Sequence, residues 1–356
     1  MHHPQFQVSG VAGAITGPAG SGLSIELVDQ ATGEEQDSVT VVVDDRLGIL
    51  APPAMGAAIT VYMGYTETGL IFKGTFHVAD VTLSGWPRQM SVHATGANMM
   101  SKVKEPVTQD FQMKPVSDIM GYLAGQIGVG TRVGGSVGSF IYKYIAMTEE
   151  SPMNFITRLA RKHNAIGKIA NDTLIFVRRG EPLGAGAQAT YPYNVKGYDL
   201  TLHSLEQFGS TVQDILPAGK DHEGKEDVEP KDMVGSATGS GGGPESMVPP
   251  EAPDMDEEAT EDATSQQESL NQKSKILDIT IIGDPNVFAG STLTVTGVRP
   301  LVDGSWYILK VTHSMDGQSG YTTQIQCCLA SEAGAAGGGG AGGGLTDLPA
   351  GGAPQP

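Results

Sequence analysis

Eight histidines, two cysteines and 40 acidic residues are the side chains of this sequence with chemistry to offer. None falls into a spacing that catalysis or metal binding uses. His77, His93, His163, His203 and His313 are scattered, which suits hydrogen-bonded structural histidines better than ligands. His2 and His3 are adjacent, but a chain terminus preorganises a metal site poorly. There is no Gly-x-Ser-x-Gly elbow, no phosphate-binding glycine loop with its lysine, and no His-Glu-x-x-His helix. Cys327 and Cys328 are neighbours that would point to opposite faces of a strand, so they do not bond to each other. Two carboxylates held several ångströms apart can cleave a glycosidic bond, yet nothing in the sequence singles out a pair. The expectation is no catalytic centre, no cofactor and no metal.

Charge excludes another class. The formal net charge is -18, and 15 acidic against 2 basic residues between Asp221 and Glu268 account for -13 of it. Phosphate recognition needs clustered Lys and Arg, so a sequence-specific nucleic-acid partner is not expected. No apolar run reaches the roughly 20 residues of a membrane helix, and stable membrane insertion is not expected either. The start, MHHPQFQVSG, lacks the basic end and apolar core of a signal peptide, which with the sparse cysteine predicts a soluble, leaderless chain that folds in a reducing cytoplasm.

The informative pattern lies in the elements that would position side chains. Gly56, Ile59, Thr60 and Val61 are followed by Gly74, Thr75, Phe76, Val78, Val81, Thr82 and Ser84. Near the other end, Gly290, Leu293, Thr294 and Val295 are followed by Gly304, Ser305, Trp306, Ile308, Val311, Thr312 and Ser314. Both stretches read as a glycine, an aliphatic-Thr-Val strand, a second glycine, and a strand opening on hydroxyl then aromatic. One β-hairpin design is used twice. Gly74 and Gly304 serve backbone geometry, and Phe76 and Trp306 anchor the core. Two equivalent units per chain would let three chains present six similar faces.

Around this repeat, residues from about Phe6 to Ala97 read as short alternating strands of a small sandwich or barrel. Val116, Ile119, Met120, Leu123 and Ile127 recur at helical spacing, with Gly128 as the stop. Ser151 and Pro152 open a second helix carrying Phe155, Ile156, Leu159 and Ala160, and Asn171-Asp172 predicts a tight hairpin. The acidic stretch is too polar to bury a core and is expected to be flexible apart from a short polar helix near its end. The glycine-rich end is expected to be disordered.

Three sets of blocks carry a resemblance: GLIFKGTFHVADVTLSGWP in the first third, ESPMNFITRLARKHNA with LIFVRRGE in the middle, and GDPNVFAGSTLTV, DGSWYILKVTHSMD and GYTTQIQC near the end. In this order they resemble the late control protein D family, the baseplate hub of contractile-tailed bacteriophages, and are similar to the hub part of type VI secretion spike proteins. The resemblance implies an α+β, mainly β fold, with two tail-tube-like β-barrels joined by a small helix-plus-strand domain. Residues 1–100 would form the first barrel, 101–180 the α/β middle domain, and 181–332 the second barrel, interrupted by the acidic flexible insert 218–272. Residues 333–356 would be the Gly-rich tail. It further implies a homotrimer, a pseudo-sixfold ring adapting the hexameric tail tube protein to the trimeric central spike protein, in contact with other baseplate proteins and located in the virion tail after assembly in the host cytoplasm. No long repetitive region follows Leu329, so the spike is expected to be a separate polypeptide. The alternatives are a tail-associated cell-wall hydrolase and a carbohydrate-binding tail protein.

Overall fold

Alternation of apolar and polar residues runs through most of the chain, and a period of two is spent on sheet. The computed structural model describes residues 3–10, 15–18, 24–31, 36–96, 105–181, 186–202, 210–212, 236–238, 246–247, 265, 268–269, 272, 275–317 and 319–329. The first region holds β1 (Pro4–Ser9), β2 (Ile15–Pro18), β3 (Ser24–Gln30), β4 (Ser38–Asp44), β5 (Ala58–Tyr65), β6 (Gly69–Ser84) and β7 (Gln89–Thr95). The middle holds β8 (Val107–Pro115), α1 (Val116–Ile127), β9 (Gly130–Val133), α2 (Gly135–Gly138), β10 (Ile141–Glu150), α3 (Pro152–Lys162), β11 (Ala165–Ala170) and β12 (Thr173–Arg178). Then come β13 (Ala187–Thr190), β14 (Val195–Leu202), β15 (Ser210–Val212), β16 (Ser236–Thr238), β17 (Ser246–Met247), β18 (Lys275–Ile282), β19 (Thr292–Thr296), β20 (Gly304–Asp316) and β21 (Gly320–Leu329).

The protein is mainly β. Thirteen strands form one sheet in the order β14-β18-β21-β20-β3-β4-β7-β6-β5-β1-β2, with β19 pairing β20 and β13. Among the described residues this path is open, so the pairings do not close into two separate barrels. β20 and β3 are antiparallel from Lys310↔Gln30 to Met315↔Ile25 and join the two strand sets in one sheet. Each set keeps its own core: Phe6, Val8, Leu27, Ile59 and Val92 in the first, Leu277, Ile279, Leu293, Val295 and Ile308 in the second.

The middle region follows helix and turn chemistry. Gly128, at φ 85°, ends α1 and donates its N–H to Ala124 O. Ser151 Oγ accepts from Asn154 N at 3.3 Å and caps α3, whose Phe155, Ile156 and Leu159 are fully buried. Burying each such side chain is worth about 1.5–3 kcal/mol. Asn171 and Asp172, at φ 51° and 53°, make the two-residue turn between β11 and β12, a conformation matched to strand twist. Within the stretch read as a flexible insert, β16 and β17 pair with β15, and Glu268 accepts from Arg178 Nε at 3.4 Å. Ser265, Glu268, Ser269 and Gln272 are helical; apart from these, β16 and β17, residues 218–272 and all of 333–356 lie outside the described set.

Candidate assembly interface

The repeated residues sit in two hairpins of the same register. In β5 and β6, Val61 faces Gly74, Thr60 faces Thr75 and Ile59 faces Phe76. In β19 and β20, Val295 faces Gly304, Thr294 faces Ser305 and Leu293 faces Trp306. Gly56 N donates to Val78 O at 2.8 Å, and Gly290 N donates to Ile308 O at 2.9 Å. Gly74 and Gly304 have φ of 149° and 144°, a region L residues rarely enter. Each long strand then carries a bulge at the same place, between Val78 and Asp80 and between Ile308 and Lys310. Phe76 and Trp306 are buried with Ile59, Val61, Leu293, Val295 and Ile308. The copies part at their outer neighbours, since β1 runs antiparallel to β5 whereas β13 runs parallel to β19.

After the bulges the strands enter one run of two four-strand sets, β14-β18-β21-β20 and β3-β4-β7-β6. Every neighbouring pair in it is antiparallel, so the equivalent strands β20 and β6 point the same way. One face of the second set is polar. Asp199, Asp278, Lys310, Thr312, Gln324 and Gln326 line a groove of about 520 Å³ there, with Gln326 Nε2 donating to Asp278 Oδ1 at 3.0 Å.

Behind the joint lies a buried polar lock that ties three regions together. Lys168 Nζ of β11 donates to Asp29 Oδ1 at 2.8 Å, to Asp37 Oδ2 at 3.0 Å and to Gln30 O at 2.7 Å. Asp29 Oδ2 in turn accepts from Ala289 N at 2.8 Å. Burial works against the Lys168 ammonium, but the two carboxylates outweigh it and hold it above its ordinary range. Burial pushes Asp37 up to about 6, and it also raises Asp29, where Lys168 outweighs it and keeps the carboxyl below its ordinary value.

The segment 283–290 runs through this network. Lys73 Nζ donates to Pro285 O at 3.1 Å and Val287 O at 3.0 Å and stands 3.7 Å above the Phe288 ring centre. Burial pulls that ammonium down to about 8. His313 Nε2 lies 3.1 Å from Val287 O, and its Nδ1 lies 3.0 Å from Tyr321 Oη and 3.1 Å from Thr323 Oγ1. A carbonyl only accepts, so Nε2 carries the proton and Nδ1 accepts. Burial brings His313 down to about 3 and keeps the ring neutral. Tyr65 Oη donates to Gly283 O at 2.6 Å, and a Cβ on Gly283 would collide with the Tyr321 ring. Sequence reasoning missed Lys73, Lys168, Asp29 and Asp37. The available signal was a lysine inside an apolar strand run, in IFKGTF and in AIGKIA.

The other histidines lie apart. His163 is buried against Tyr142 Oη at 2.7 Å, His93 faces Thr40 Oγ1 at 3.2 Å, His77 is 3.6 Å from Asp172 Oδ1, and His3 pairs with Glu67. His203 lies outside the described residues, among which no group of three metal-capable side chains occurs. Cys327 and Cys328 are buried thiols, the second pushed up to about 12 by burial. No described helix is long and apolar enough to cross a membrane.

No protein-family model matches the chain. A probable baseplate hub protein of Escherichia phage 186 is 23% identical over 166 residues, which is 47% of this chain and 42% of that protein. Its counterpart in Escherichia phage P2 is 25% identical over 166 residues, 47% of this chain and 43% of that protein. The chain resembles phage baseplate hub proteins. Its match spans less than half the length of these relatives. The fold extends the likeness: a 43 kDa tail protein of prophage MuSo2 from Shewanella oneidensis superposes with a TM-score of 0.69 at 16% identity, over 92% of this chain and 98% of the other. A tail protein of Neisseria meningitidis gives 0.66 at 13% identity over 91% and 96%. A type VI secretion system component of E. coli gives 0.57 at 11% identity over 92% and 77%. At such identities the agreement is one of fold, and the hub-like chain shares it with tail and secretion proteins alike.

Proposed function

We propose that the protein is a structural baseplate hub of a contractile phage tail, in which three copies form a pseudo-sixfold ring between the hexameric tail tube and the trimeric central spike. The observation that carries this is the run of two four-strand sets pointing the same way. Three chains with two such sets supply six near-equal units, the number a closed sixfold interface needs. In this reading residues 1–100 and 181–332 are the tube-like units, and 101–180 braces them from outside. Gly56, Gly74, Gly290 and Gly304 shape the two hairpins, and Ile59, Val61, Phe76, Val78, Val81, Leu293, Val295, Trp306, Ile308 and Val311 set them in place. Other baseplate proteins meet the outer surface. The protein acts mechanically, holding the spike until sheath contraction drives the tube forward, and it catalyses no bond change.

The test is a reconstruction of isolated tails with the protein labelled. Threefold density at the tube end, joining six tube subunits above to three spike chains below, is the expected result. A position elsewhere in the particle overturns the reading. So does hydrolysis of purified peptidoglycan that disappears when one carboxylate is replaced.

A further inference from the structure

Among the open strand edges of the described residues, two belong to the equivalent four-strand sets: β14, at the end of the sheet, and the last part of β6 on the side away from β7. Open edges invite another chain, and proteins ordinarily blunt them. We propose that these edges are two halves of one joint, so that β6 of one copy pairs antiparallel with β14 of a second copy, with Val81 opposite Leu202, Thr82 opposite Thr201, Leu83 opposite Leu200 and Ser84 opposite Asp199. The proposal rests on the hub reading and names the surface by which its copies meet.

The register comes from the joint already present inside the chain. In it β20 pairs with β3, with Val311 opposite Asp29, Thr312 opposite Val28, His313 opposite Leu27 and Ser314 opposite Glu26. The hairpin register and the shared bulge align β20 with β6, so that Val311 corresponds to Val81 and Ser314 to Ser84. Cross-strand rows align β3 with β14. Glu26, Thr40, His93 and Asp80 form one row, and Asp199, Asp278, Gln326 and Lys310 form the other. Glu26 therefore stands where Asp199 stands, and carrying the internal joint across gives the four pairs.

The side chains fit this register without having been used to find it. Leu83 faces Leu200 and Val81 faces Leu202 on the core side, while Thr82 faces Thr201 and Ser84 faces Asp199 on the polar side. Leu83 and Leu202 are 61% and 59% exposed in the single chain, while Val311 and Leu27 of the internal joint are buried. A slip of one residue would set Leu83 against Thr201 and turn the aliphatic groups to the polar face. The occupant is therefore a second copy of this chain, whose edge has the complementary length, direction and alternation.

The experiment uses the full chain with Thr82→Cys and Thr201→Cys together; the native Cys327 and Cys328 are buried. Opposed antiparallel residues have Cα atoms about 4.5–5.5 Å apart, within disulfide range. Under mild oxidation the double variant is expected to form covalent multimers ending in one closed species on a non-reducing gel, confirmed by light scattering. Either single variant, and the shifted pair Thr82→Cys with Leu200→Cys, is expected to give none. Leu83→Asp should weaken self-association at least about 100-fold while leaving the circular dichroism unchanged. Absence of the 82–201 bond, equal bonding in the shifted pair, or undiminished association of Leu83→Asp overturns the joint. A chain that fails these tests yet gives threefold density in tails sinks the joint alone. A chain that passes them yet is missing from tails sinks the hub reading alone.

Discussion

Val311 and His313 in β20 hold the same places after the same bulge as Val81 and Leu83 in β6, yet the first two are buried while Val81 is half-buried and Leu83 open. The hairpins that precede them share register and glycine conformation, so the difference is made by the neighbours. β3 and the segment 283–290 flank β20, whereas the end of β6 has no described strand on the side away from β7. What the covering permits is charge. Lys168 is paired with Asp29 and Asp37, and Lys73 and the neutral His313 are held by the carbonyls of segment 283–290 beside the covered copy. From Val81 to Ser84 the open copy carries only aliphatic and hydroxyl groups, which can pass from solvent to an interface without stranding a buried ion.

The severest way to break this comparison is to take the ammonium out of the lock. Lys168→Met leaves Asp29 and Asp37 facing each other in a buried space, which should cost about 3–5 kcal/mol and lower the urea midpoint accordingly. Adding Asp29→Asn and Asp37→Asn to the same chain should recover much of the loss, because the repulsion goes with the charges. A single variant that unfolds within about 1 kcal/mol of the wild type would mean the covered joint does not depend on its ions.

Acid probes the same region through His313. The unfolded ring takes a proton near pH 6.5 and the folded ring near 3, so between those values the unfolded state binds more protons and stability falls as pH falls. Asp37, raised to about 6, titrates in the opposite sense over part of that window, so the difference from a variant is the cleaner measure. Against His313→Gln, the wild type should lose about 3 kcal/mol between pH 6.5 and pH 4. A difference constant across that range would show that the ring ionises freely in the folded protein.

The hairpin glycines separate the two copies by less. Alanine at either position is strained by its φ, which costs about 1–2 kcal/mol. At Gly74 the new Cβ also comes within 3.1 Å of Phe76 and 3.2 Å of Asn171 Oδ1, whose acceptor is held by Thr75 N, while at Gly304 no described atom lies within 4 Å. Gly74→Ala should therefore lower the melting temperature more than Gly304→Ala. Equal losses would mean the Asn171 turn yields freely.

Much of this was legible in the sequence for a physical reason: periodicity, caps and turn residues are local. Gly128, Ser151, Asn171 and the paired Gly74 and Gly304 each announce a backbone state within a few residues. The fusion of both strand sets into one sheet was not legible, because nothing in β3 or β20 alone says that Ile25 will meet Met315 from the far end of the chain. The lock was hidden for the same reason. Lys168 and Asp29 are 139 residues apart, and a lone lysine in a strand reads as solvated until its partners are placed.

Leu83→Ser should produce the smallest change in the single chain and the most discriminating one. The side chain is 61% exposed, so its replacement should shift the unfolding free energy by no more than about 0.5 kcal/mol. Val311→Ala at the matching place, fully buried in a strand paired with β3, should cost about 2 kcal/mol or more. If Leu83 is an unoccupied counterpart of His313, its polar replacement leaves the melting curve of dilute protein unchanged and removes the concentration dependence that self-association gives the wild type. A loss matching that of Val311→Ala in dilute protein would place Leu83 in the core of its own chain and erase the distinction between the two strands.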